Sequence, residues 1–393
     1  MISRRSLIVN AVVFVLAIVL LFVAHRIAMS DAQFFIVGEH VRTAEARVIR
    51  IVDIERDEFR IDNIEMYDLI ITFEAVTGGF FTRDGGEMLT ATQSIVAGSV
   101  HNRKAVEEGD RVILEILDGQ WQLSEYVRMN GIFLLAALFA VLMILFGKSK
   151  GFRSLISLGL TCIAIFAVFI PALLSGKNIY LWATLVCIYA IIVTLFIVSG
   201  VNKKSIAAVL GCMGGVILAG LLTLLMIWAL ALTGIVDQES VFLIVLREEQ
   251  PIDLRAIVFA GIIIGAVGAL MDVAMSISSA LWEIKSQADD PSFKGLFKSG
   301  INIGRDIMGT MANTLVLAYI GGSLSAVLLL MTFASSPAAF LNEELIIVDM
   351  LQAIIGSLGI LLTMPLTVLL CAFWFSRESG FNDKPLRAWR GKW

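Results

Sequence analysis

Eight apolar runs, each of about 18 residues or more, constrain this 393-residue chain more than any other feature. A helix needs about 20 apolar residues to cross the hydrocarbon core of a bilayer. Inside that core its backbone polar groups must be paired within the helix itself. The runs lie at 7–24, 131–147, 155–174, 179–199, 206–231, 255–281, 306–332 and 350–375. Hydrophobic residues make up 58% of the chain and charged residues 16%, against about 25% charged in soluble domains. The expected fold is an all-α polytopic membrane bundle of about eight transmembrane helices, with the lipid bilayer as its solvent.

Lysine and arginine concentrate on the cytoplasmic side of such proteins. Here 16 of them (Arg4, Arg5, Lys148, Lys150, Arg153, Lys203, Lys204, Lys285, Lys294, Lys298, Arg305, Arg377, Lys384, Arg387, Arg390 and Lys392) fall on one side. The short loops opposite hold only Lys177, Arg247 and Arg255. Both termini are therefore expected in the cytoplasm, as an even number of spans also requires. Span one has a second reading, a signal peptide with Arg4 and Arg5 as its basic end and Ala28-Met29-Ser30 as a loose cleavage site. Its long apolar run and poor cleavage match favour an uncleaved anchor.

Residues 25–130 read as a separate extracytoplasmic domain. "EARVIRIVDI", "YDLIITFEAV", "GEMLTATQSI" and "GDRVILEIL" have the β-branched content and partial alternation of short strands. Gly78-Gly79, Asp84-Gly85-Gly86, Glu108-Gly109-Asp110 and Asp118-Gly119 punctuate them as turns. A small β-rich barrel of OB or SH3-like kind fits that length. Its 19 acidic and 11 basic residues read as a solvated acidic surface, with a cation-collecting mouth as the alternative. The expected domains are an anchor (1–24), this β-rich domain (25–130), a seven-helix block (131–376) and a basic cytoplasmic tail (377–393). In the outer loop 233–254, "VFLIVL" (Val241–Leu246) is too short to span; it either dips into the interface or caps a vestibule.

Several chemistries are disfavoured by inventory. Cys162, Cys187, Cys212 and Cys371 are scattered through apolar runs without metal-ligand spacing, and His25, His40 and His101 all precede the main membrane block. A net charge of −4 and the lack of a basic patch with interleaved aromatics argue against nucleic acid as a partner. No GxxxxGK[ST] loop occurs, and no cofactor is implied.

The sixth run, "GIIIGAVGALMDVAMSISSALWEI", carries an aspartate at membrane depth. Such a charge costs about 2.5–3.5 kcal/mol on insertion scales. With successive helical residues turning by about 100°, Gly261, Gly265, Gly268, Asp272, Ser276, Ser279 and Glu283 share a sector of about 80°. Glycines let another backbone approach closely, so the stripe is expected to face the bundle interior. On the seventh run Asp306, Thr310, Asn313 and Gly321 share a face, with Leu317 interrupting it. These two antiparallel spans, joined by a cytoplasmic connection at 284–305, are expected to converge their polar groups into one substrate or ion pathway. Span eight adds Gln352, Gly356, Gly359, Thr363 and Thr367 with a kink at Pro365, and span five adds Gly211, Gly215 and Ala219 for close packing. Asp272 has no basic residue in any span at its depth, which leaves protonation, a bound cation or a water-filled cavity to accommodate it.

"MDVAMSISSALWEI" (Met271–Ile284) followed by "GRDIMGTMANTLVLAYIGGS" (Gly304–Ser323) resembles the YibE/YibF-like family of bacterial membrane proteins, and the outer domain resembles its longer, YibE-type members. The resemblance implies a bacterial plasma-membrane protein with a shorter YibF-like chain as partner; a homo-oligomer is the alternative. It transfers no catalytic or binding residues. Three functions follow from the residues: a transporter moving a small solute or cation, coupled to protons or a hard cation; a non-transporting envelope protein whose outer domain binds a partner; and an intramembrane hydrolase. The last lacks both the aspartyl-protease signatures and a base for a serine nucleophile, so the chain is expected not to be an enzyme.

Overall fold

The structure, a computed structural model, describes residues 4–29, 42–61, 64–77, 86–97, 104–117, 119–245, 252–287, 292–333 and 335–377. The expected turns at Gly78-Gly79 and Asp84-Gly85, together with Ser30, Asp118, His40, His101, the segment Leu246–Glu249 and the tail from residue 378, lie outside the described residues. By their contacts the residues form two units, Phe35–Leu142 and Met1–Phe34 with Met143–Trp393.

The first unit holds a closed barrel of five strands: β1 (Thr43–Ile61), β2 (Ile64–Thr77), β3 (Met88–Ala97), β4 (Arg111–Leu117) and β5 (Gln120–Tyr126). Their order is β1-β2-β3-β5-β4, and β1 closes the ring by pairing with both β2 and β4. All pairings are antiparallel except β3 with β5, and five strands in this order make the OB-type alternative. Irregular register at Val48/Arg50 and Ile51/Asp53 lets the long β1 curl. Alternate residues fill the barrel: Ala46 and Val48, Ile71, Phe73 and Ala75, Val112 and Leu114. The interior is not wholly apolar. Gln93 is buried, accepting from the Val106 amide at 2.8 Å and donating to the Lys104 carbonyl at 3.0 Å. Tyr126 donates to that same carbonyl, and burial pushes its phenol up from the ordinary value. Lys104, bonded to Asp110 at 3.0 Å, has its ammonium raised by that bond.

The helices are α1 (Arg4–Ala28), α2 (Met129–Ala164), a π-helical turn (Ile165–Phe169), α3 (Ile170–Leu174), α4 (Ile179–Ser199), α5 (Lys203–Ala229), α6 (Gln238–Val245), α7 (Leu254–Gln287), α8 (Phe293–Gly322), α9 (Leu324–Phe333), α10 (Pro337–Leu341) and α11 (Glu344–Arg377). Among the described residues six helical stretches are long and apolar enough to cross a membrane, or seven if α8 and α9, bent by 59°, count as one. One stretch, Met129–Leu174, runs 46 residues, which as a straight helix would be about 70 Å long. It is not straight. Lys148 has φ 48° and ψ −131°, and the Gly151 backbone lies so close to the Met143 carbonyl that a side chain there could not fit.

Asparagine and serine side chains start several helices. Asn178, Asn202 and Ser292 accept from the amides three residues on and so cap α4, α5 and α8. The expected cytoplasmic connection at 284–305 is therefore much shorter, because α7 continues to Gln287 and α8 already begins at Phe293. Within the second unit α7 is the central helix, packed against α4, α5, α8 and α11, while α11 packs against α5, α7 and α8. α1 is built into this unit as well. It lies on α4 and the π-helical turn, with Ser175 Oγ donating to the Ala28 carbonyl.

Candidate functional site

The tightest seam in the bundle joins α5 to α11. A side chain at Gly211 would collide with Thr367, and one at Gly215 with Thr363. Both threonines are fully buried, and neither hydroxyl has a hydrogen-bond partner among the described residues. The glycine Cα–H groups point at these oxygens instead, the weak contact that recurs where helices touch. Leu270 of α7 fills the remaining space against Gly215 and Gly359, and Gly356 admits Leu315 of α8. Four of the expected packing glycines, Gly211, Gly215, Gly356 and Gly359, are thus close-packed.

The α7 stripe lies elsewhere. Ile262, Ile263, Leu270, Val273, Ala274, Ile277 and Leu281 are buried, whereas Gly261, Gly265, Gly268, Asp272, Ser276 and Glu283 are exposed and Ser279 is half-buried. Among the described residues, a Cβ at Gly261 or Gly268 would meet nothing within 4 Å. The expectation that this stripe faces the interior of its own bundle is corrected: α7 buries its broad apolar face against α4, α5, α8 and α11, and most of the small and polar residues form its open edge. The serine of this run that the bundle encloses is Ser278, donating to the Lys204 carbonyl at 2.6 Å.

α8 behaves in the same way. Leu296, Gly300 and Gly304 are its buried residues, with Gly300 against Val368 and Leu281 and Gly304 against Met364 and Ile277. Asp306, Thr310 and Asn313 lie about 180–240° around the helix from Gly304, and all three are exposed, as are Leu317 and Gly321. The expected convergence of Asp272 and Asp306 within one chain is therefore not formed, because α8 turns its polar face away from α7. The side chains of Asp272, Ser276, Ser279, Asp306 and Asn313 have no hydrogen bond or ion pair among the described residues. Thr310 donates to the Ile307 carbonyl, and Glu283 accepts from Gln287 at 2.8 Å.

One polar junction does join α7, α8 and α11. The Tyr319 hydroxyl and the Gln352 amide both lie over Gly265, and Gln352 Nε2 is 3.4 Å from the Gly261 carbonyl. Nearby, α8, α9 and α11 border a pocket of about 300 Å³ lined by Tyr319, Ser323, Ile346, Asp349 and Met350 among others. None of the seven expected pathway residues lines it. Sequence reasoning missed Tyr319, Gly300 and Gly304. The two glycines carried a usable signal, the GxxxG spacing of "GINIG"; Tyr319 is one tyrosine in an apolar run and carried none. At the other end of the bundle Glu344 caps the chain after α5, accepting from the Thr233 and Gly234 amides at 2.8 and 2.6 Å. Among the described residues no three His, Cys, Asp or Glu side chains cluster so as to hold a metal ion.

A small barrel with long apolar helices before and after it, sealed by glycine seams, fits a polytopic membrane protein. The family model described as YibE/F-like protein matches residues 135–377, so the chain belongs to the YibE/F-like family. No curated protein and no solved structure matches it.

Proposed function

We propose that this chain is a plasma-membrane transporter or permease for a small solute or cation, coupled to protons or a hard cation, with its polar site on α7 and α8. The observation that carries the proposal is Asp272, a carboxylate in the middle of a 34-residue apolar helix with no ion pair among the described residues. Acids at that depth line substrate and ion routes in membrane proteins, and oxygen ligands without His or Cys suit protons or hard cations. Dividing Met129–Leu174 at Lys148 and joining α8 to α9 gives a count of eight spans, which supports both termini lying on one side, and the Lys/Arg bias supports that side being the cytoplasm. Asp272→Asn is expected to abolish flux in proteoliposomes while leaving the protein inserted and folded. Undiminished flux would remove Asp272 from the mechanism.

A second reading is supported by the openness of both polar faces: an envelope protein whose barrel binds a partner outside while the bundle anchors or assembles it. Deleting residues 30–125 separates the two. A transporter core keeps measurable flux without the barrel, whereas a barrel-centred function is lost entirely. Hydrolysis by paired aspartates has the least support, since Asp306 is turned away from α7.

A further inference from the structure

Hydrocarbon can neither hydrogen-bond nor solvate a carboxylate, so acids within spans turn toward protein or water. On α7 and α8 the opposite holds: Asp272, Ser276, Asp306, Thr310 and Asn313 all lie on open faces of the single chain. The seam beside Asp272 is open at two of its three glycines: among the described residues nothing lies within 4 Å of a Cβ at Gly261 or Gly268, while Tyr319 and Gln352 cover Gly265.

The two faces are matched in depth. Leu281 packs on Gly300 and Ile277 on Gly304, so α7 and α8 run antiparallel at a fixed offset. Continuing that offset sets Asp272 level with Gly309 and Thr310, and Ser276 level with Arg305 and Asp306. Asn313 lies about one turn from the level of Asp272. Asp272 is an acceptor, and the Asn313 amide offers two donors that no side chain or carbonyl among the described residues engages. Within one chain this match goes unused, because α8 presents these side chains away from α7.

We propose that a second copy of this chain covers this surface, related to the first by a two-fold axis along the membrane normal. Such an axis keeps every residue at its depth and makes each contact twice. Asn313 and Thr310 of either copy then face Asp272 of the other, and Gly261 and Gly268 let the two backbones approach. A partner of unrelated sequence would need its own donor at that level; the second copy already carries one. The polar site on α7 is incomplete without it. The proposal rests on α7 and α8 being membrane helices and not on transport, so the two readings can fail separately.

The test is to reconstitute the full-length protein sparsely into lipid nanodiscs and count copies by single-molecule photobleaching. Wild type is expected to bleach in two steps. Gly268→Leu should bleach in one, because a Cβ at that position has nothing within 4 Å among the described residues and the leucine stands where the second copy would approach. Gly159→Leu, at an α2 glycine that also has nothing within 4 Å, should remain two-step. In a background lacking the four native cysteines, a Ser276→Cys copy should cross-link to a differently tagged Asp306→Cys copy, and not to a Leu221→Cys copy. One-step bleaching of wild type, whether alone or beside a different protein, overturns the proposal. So does a two-step wild type that Gly268→Leu leaves unchanged and in which Ser276→Cys and Asp306→Cys do not join.

Discussion

Gly215 on α5 and Gly261 on α7 are the same residue in similar apolar surroundings, and only their neighbours tell them apart. A methyl group at Gly215 meets Thr363 and Leu270, whereas at Gly261 it meets nothing within 4 Å among the described residues. Gly215→Ala is therefore expected to cost about 1–3 kcal/mol by overpacking, read as a lower unfolding midpoint in detergent. Gly261→Ala should leave the midpoint of the detergent-dispersed monomer unchanged. Equal effects from the two would contradict the seam assignment. Helical spacing was enough to group Gly261, Asp272 and Ser276 on one side of α7. It could not say whether that side faces inward, because the choice depends on how α5 and α11 shape their own surfaces. Glycines and threonines there receive Leu270, and so the apolar side of α7 turns in.

At the scale of elements, apolar length located most of the helices: the expected span at 179–199 coincides with α4, those at 7–24, 206–231, 255–281 and 350–375 shift by six residues or fewer at their ends, and those at 131–147 and 155–174 run together through Lys148 as the one stretch Met129–Leu174. α8 is the exception, starting at Phe293 where the apolar run starts only at 306. Its first turns carry exposed Lys294, Lys298 and Arg305 around the buried spacing Leu296, Gly300, Gly304, an amphipathic pattern that a search for continuous apolar residues passes over. Four of the five strands were legible from their β-branched runs. β5, "QWQLSEY", was not, because its burial does not alternate and only the closing of the barrel makes it a strand. The break within α2 yields a separate expectation. Lys148 holds a positive φ of 48°, a conformation that costs a non-glycine residue about 1–3 kcal/mol. Lys148→Gly should raise the unfolding midpoint of the full chain and Lys148→Val should lower it. A straight, continuous helix through this point would show the reverse order, since glycine is the poorer helix former.

For the whole molecule, family membership and a set of long apolar helices define the frame, and the proposed function depends on what the open face of α7 does within it. If that face is a transport route, water reaches it; if it is only a contact between helices, water does not. The decisive measurement is the reactivity of cysteines introduced at Ser276, Leu221 and Thr363, in the cysteine-free background, toward a polar, membrane-impermeant thiol reagent supplied from the side that carries Lys285. Leu221 is exposed on an apolar helix and Thr363 is fully buried, so both serve as unreactive references. Rapid modification at Ser276 alone, slowed when the transported cation or proton gradient is imposed, is the predicted result. Reactivity at Ser276 no greater than at Leu221 would contradict a solvated path to Asp272 and with it the transport reading.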